Sequence, residues 1–249
     1  MATIASPAAD IQLRERHFYS RMAIALVVLM FLGFAPSFYL RDIVPSYPRP
    51  NPTLPVSVIL HGLLFTLWMF VFVAQTQLVA AGRRDIHMKL GSASMILAVA
   101  MLPVMYMIGV WQVARNNVPP FTTPLDWTSL PLFALPAFAF LVWQGWKRRR
   151  QSQWHKRLML GAAMVVVLGP SFGRLPLVPP SKAGFAAQML LTLLFFVPLL
   201  IWDKRSAGRT HPATKLALGV YALSMMIPVA LIVSGTWAPV ARHLPGVGS

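Results

Sequence analysis

Three of the six histidines recur in one context. A basic cluster, a histidine and then a Leu–Gly approach to an apolar run appear in "RRDIHMKLG", "RRRQSQWHKRLMLG" and "DKRSAGRTHPATKLALG", which hold His87, His155 and His211. Imidazole is the side chain that stays neutral near pH 7 while offering a ring nitrogen to a metal or to haem iron. Asp85, Ser152 and Thr210 precede the three histidines as candidate helix caps. The positive end of a helix dipole disfavours the imidazolium, so these rings are expected to be neutral. Gathered at one depth, they make a His-only metal site or supply axial haem ligands. Read without chemistry, they are ordinary interfacial histidines, and no carboxylate cluster accompanies them. The spacings of 68 and 56 residues between the histidines make the repeat irregular, a helical hairpin used three times.

His61 is different, because it stands inside an apolar run. At 100° per residue it shares a helical stripe with Trp68 and Gln75, flanked by Phe65 and Phe72. An ionisable residue within a span faces the bundle interior by default, as a functional group or as a hydrogen bond between helices. Gln75 and Gln77 point to nearly opposite faces, so each is expected to bond a different neighbouring helix. Arg174, in "GPSFGRLP", either snorkels to headgroups or grips an anion such as a propionate or phosphate. Met101 and Met105 share a face, as a copper(I) site or as packing.

The elements that must position these residues are membrane helices. Of 249 residues, 57% are hydrophobic and 11% charged, against about 25% charged in a soluble domain. Mean hydropathy is +0.62. Apolar runs predict seven spans, at about 22–40, 56–81, 90–110, 128–146, 157–178, 185–202 and 215–236, in one all-α domain. Lysine and arginine alternate loop by loop, sixteen on one side and six on the other, which predicts a cytoplasmic N-terminus and an external C-terminus. No small-residue cleavage pattern follows the first run, so a removed signal peptide is not expected. The net charge of +16 lies between spans, where it meets anionic headgroups and not nucleic acid. No cysteine is present, which excludes disulfides, thiolate metal sites and iron–sulfur clusters.

Proline marks the connections and the helices alike. Pro45, Pro48, Pro50, Pro52 and Pro55, then Pro119, Pro120 and Pro124, predict extended outer loops. Pro36, Pro103, Pro131, Pro136, Pro170, Pro198 and Pro228 predict kinks in every span but the second. No acidic residue falls within the expected spans, which argues against a carboxylate-based proton pump. The seventh span has no internal lysine for a retinal Schiff base, and no nucleotide or hydrolase motif occurs.

The stretches "HGLLFTLWMFVFVAQTQLVAAGRRDIHMKLG" and "HKRLMLGAAMVVVLGPSFGRLP" resemble a group of uncharacterised bacterial multi-pass inner-membrane proteins across the second to fifth spans. The His-x-x-Leu-Gly pattern is more distantly similar to helix starts in transmembrane b-type cytochromes and haem-handling assembly factors. That resemblance implies haem b held by a pair from His87, His155 and His211; the residues favour His87 and His155, with His211 in reserve before Pro212 and His61 and Arg174 as an outer site. Only His61 lies deep in a span on the outer side, so a two-haem path is not implied. Three functions stand: a haem-binding redox or cofactor-assembly protein, a non-catalytic accessory or scaffold subunit, and a small-solute transporter suggested by the prolines.

Overall fold

A computed structural model describes residues 7–43 and 53–247, and every regular element among them is helical. Ten α-helices follow in order: α1 Pro7–Phe34, α2 Val56–Ala80, α3 Arg84–Arg115, α4 Pro124–Trp127, α5 Ser129–Lys147, α6 Ser152–Phe172, α7 Lys182–Leu191, α8 Val197–Ala207, α9 Pro212–Ser234 and α10 Ala238–Ala241. A π-helical turn at Ala35–Tyr39 continues α1, and a 3₁₀ turn at Thr192–Phe196 joins α7 to α8. Pro36 lies in the first break and Pro198 follows the second, each a residue without an amide donor. The proline-free α2 runs unbroken.

Six helical stretches are long and apolar enough to cross a membrane: 10–39, 56–80, 84–115, 124–147, 182–207 and 212–234. They carry large hydrophobic side chains outward, among them Leu63 and Phe70 of α2 and Ile96 of α3. A water-soluble surface does not tolerate so much exposed apolar area, whereas acyl chains do. The expected span at 157–178 is represented by α6, which is not one of the six. It is instead the axis of the bundle, buried from Leu160 to Gly169 and packed on α1, α5 and α9.

Small residues let the helices close on that axis. A Cβ on Gly161 would stand 2.7 Å from the Cβ of Ala217, and one on Gly33 would stand 2.7 Å from the Cα of Ser171. Such approaches gain dispersion contacts where no hydrophobic drive separates protein from lipid.

Several expectations change. The first helix begins at Pro7 and not near residue 22, and its extension docks on the bundle, with Phe18 stacked on Trp202 at 5.0 Å. The second outer connection is not wholly extended: Pro124 starts the one-turn helix α4, capped by the Thr123 hydroxyl. The loop through Pro45, Pro48, Pro50 and Pro52 lies outside the described residues. The spans are also not free of carboxylates, since Asp126 and Asp203 fall within stretches 124–147 and 182–207.

Candidate functional site

The turns before α3, α6 and α9 lie at one end of the bundle, because these helices start from the same side. There His87 and His155 meet, with ring centres 6.3 Å apart and planes at 83°. Nδ1 of His155 lies 2.9 Å from the Gly145 carbonyl oxygen at the end of α5. A carbonyl only accepts, so Nδ1 carries the proton and Nε2 keeps its lone pair. His87 leans on Gln75 of α2. With its amide nitrogen towards the histidine, Gln75 donates to His87 Nδ1 at 2.5 Å and to the His87 carbonyl at 3.1 Å, and accepts from the Gly91 amide at 2.7 Å.

His211 does not join them. It is itself the N-cap of α9, its Nδ1 accepting from the Ala213 amide at 3.1 Å, and its ring packs on Trp154 at 5.4 Å. The candidate caps were therefore one or two residues off: Arg83, Gln151 and His211 hold the cap positions, and Asp85 pairs with Arg83 instead. Partial burial, and then the nearby Arg157 charge, hold His211 below the usual histidine range. Among the described residues, no group of three or more potential ligands gathers around one point.

Beside the histidines is a polar network that sequence reading missed. Arg157, fully buried, donates from Nη2 and Nε to one oxygen of Asp203 at 2.6 and 2.9 Å. The other Asp203 oxygen accepts from the His211 amide at 2.9 Å and the Thr214 hydroxyl at 2.6 Å. Arg157 Nη1 donates to the backbone and side-chain oxygens of Gln153. The network pins α6, α8 and α9 together. Next to it, Lys156 pairs with Glu15 of α1 at 2.5 Å. Asp203 reads in sequence as a loop charge because "DKR" ends an apolar run; the one available signal was its rarity among only six acidic residues.

The outer candidates form a separate neighbourhood. His61 packs on Phe65 with ring centres 4.2 Å apart, and its buried Nδ1 meets no hydrogen-bond partner. Arg174 folds back from the end of α6, its guanidinium carbon 4.1 Å from the Phe34 ring centre and Nη1 2.7 Å from the Pro170 oxygen. The π-turn adjoins this site, with Tyr39 hydrogen-bonded to Thr66 at 2.7 Å and Phe38 against Gly62.

The stripe expected on α2 does face protein at Trp68, which is buried against Phe138 of α5. Gln75 bonds α3, while Gln77 donates to Ser20 of α1 at 2.7 Å, on the opposite side. Met101 and Met105 are buried together in the core. No family model matches the chain, and neither a curated protein nor a solved structure matches it.

Proposed function

We propose that the protein is a seven-span, N-in/C-out protein of the bacterial inner membrane that holds one haem b between His87 and His155. It then acts in electron transfer or in haem handling. The observation that carries this reading is the 6.3 Å separation of the two rings. The two imidazoles, facing each other from α3 and α6, are the residues that would hold the haem iron. His155 fits a ligand's needs, since its Nδ1–H is held by Gly145 and its Nε2 is available. His87 would need its other tautomer, because Gln75 donates to its Nδ1, and ligation through Nε2 would require the proton there to be given up.

Bound there, haem supplies one-electron transfer. Lys89, two residues from His87, lies on nearly the opposite face of α3 and is not placed to pair with a propionate there. Nor is Arg157, because Asp203 already holds it. Counting α6 as the fifth span, with 21 residues spanning about 30 Å, supports the odd number of crossings that the loop charges require. The basic loops at this end suit anionic lipid headgroups. The test is a reduced-minus-oxidised absorption spectrum of protein purified after growth with haem precursor. A b-type signal at one haem per chain is expected; a colourless protein under those conditions sinks the reading.

One observation favours a second reading, a non-catalytic accessory subunit. In the amide orientation that satisfies both of its ends, Gln75 donates to His87 Nδ1, which puts the proton on Nε2 and makes the ring a packing contact. A colourless protein that copurifies with a stable membrane partner would support it.

A further inference from the structure

At the end of the bundle opposite the two histidines, α4, α7, α9 and α10 border an open cavity of about 400 Å³. That is within the size range of small-molecule sites. Phe121, Thr123, Asp126, Lys182, Ile232 and Ala238 line it. Asp126 is 4% exposed. Its Oδ1 accepts from the Ala238 amide at 2.8 Å and its Oδ2 from the Thr123 hydroxyl at 2.8 Å. A carboxylate offers about four acceptor positions, so roughly half its capacity is left over.

The chain has six acidic residues, and five of them pair with a cation: Asp10, Glu15, Asp42, Asp85 and Asp203. Asp126 has no ion-pair partner among the described residues, although it is one of the two most buried. An uncompensated buried charge is costly, and a cationic ligand removes the cost. Lys182 lines the same cavity and does not close on Asp126. Its Nζ donates to the Val233 carbonyl at 2.8 Å, which leaves two of its three donors. A carboxylate and an ammonium held apart in one cavity match a molecule carrying the opposite charges in the opposite order.

We propose that this cavity binds a zwitterion with a primary ammonium at Asp126 and a phosphate at Lys182, the chemistry of phosphoethanolamine. Asp126 has acceptor capacity to spare, which N–H donors use and a quaternary ammonium does not. Asp126 and Lys182 stand in the first turns of the apolar stretches 124–147 and 182–207, so a phospholipid headgroup and a free phosphomonoester are both sources of that chemistry.

The experiment measures Tm of the whole protein in nanodiscs. In phosphatidylcholine discs, added phosphoethanolamine raises Tm saturably if the free molecule binds. If the lipid is the source, replacing part of the phosphatidylcholine by phosphatidylethanolamine raises it instead. Phosphocholine gives little response. Asp126→Asn keeps an oxygen for the Ala238 amide and weakens binding by roughly tenfold or more, the worth of a charge-assisted hydrogen bond. Lys182→Gln, at an exposed position, weakens it likewise and carries the test if the Asp126 variant does not fold. The proposal is overturned by an equal response to phosphocholine, by an undiminished response in the variants, or by no response to either source. None of these readouts involves haem.

Discussion

Arg157 and Asp203, 46 residues apart, form a bidentate contact to a single carboxylate oxygen with both side chains shut away from solvent. Removing one partner leaves a buried charge, which costs about 3–5 kcal/mol, whereas an apolar pair of similar volume is near neutral. Asp203→Ala is therefore expected to lower Tm in detergent sharply. Arg157→Met with Asp203→Leu is expected to recover most of the loss, and a double variant as unstable as the single one contradicts that account.

The histidines divide by role. His87→Ala and His155→Ala are each expected to abolish the b-type signal. His211→Ala and His61→Ala should keep it, since His211 caps a helix and His61 lies in the other half of the bundle. Loss of signal in the His61 variant alone would move the centre to the neighbourhood of Arg174.

His211 supplies a pH prediction. Its folded pKa is depressed below an unfolded value of about 6.5. The stabilisation its neutral form contributes is present above pH 6.5 and is lost as pH falls below it, because the unfolded chain then binds the proton more readily. His211→Asn keeps a capping acceptor without a titrating ring. The variant should lose part of the fall in Tm between about pH 7 and pH 5; identical slopes would remove His211 as a contributor.

Topology is tested by reporter fusion. A reporter active only outside the cytoplasm should work at the C-terminus and be silent after Arg150. Activity after Arg150 with silence at the C-terminus reverses the proposed orientation.

Packing on the central helix is tested at Gly161. Valine there drives a branched side chain into Ala217, whose Cβ would already stand 2.7 Å from an added Cβ. Overpacking costs about 1–3 kcal/mol, read as a lower Tm. The same change at Gly219, which faces open space, should cost less.

The sequence by itself determined the helical, membrane-embedded class and the place of most apolar helices. The run expected at 56–81 is the helix Val56–Ala80, and the one at 128–146 is Ser129–Lys147. Twenty apolar residues in a row are a local property, and a bilayer imposes helix on any such run. The opposed directions of Gln75 and Gln77 were legible for the same reason, since helical period alone separates their faces.

Only the tertiary structure decided which polar groups meet. Sequence offered His87 and His155 as the ligand pair, with His211 in reserve because Pro212 constrains it, but it could not show that the rings meet. Folding brings the first two together across α5 and assigns the third to its own helix cap. Arg157 and Asp203 read as loop charges on separate turns, yet a low-dielectric interior makes each the obligatory partner of the other. Asp126 gave no signal at all, because its burial depends on α10 closing over α4 from 112 residues away. Contacts of that range are set by how whole helices pack, and hydrophobic periodicity records only which face is buried, not what it is buried against.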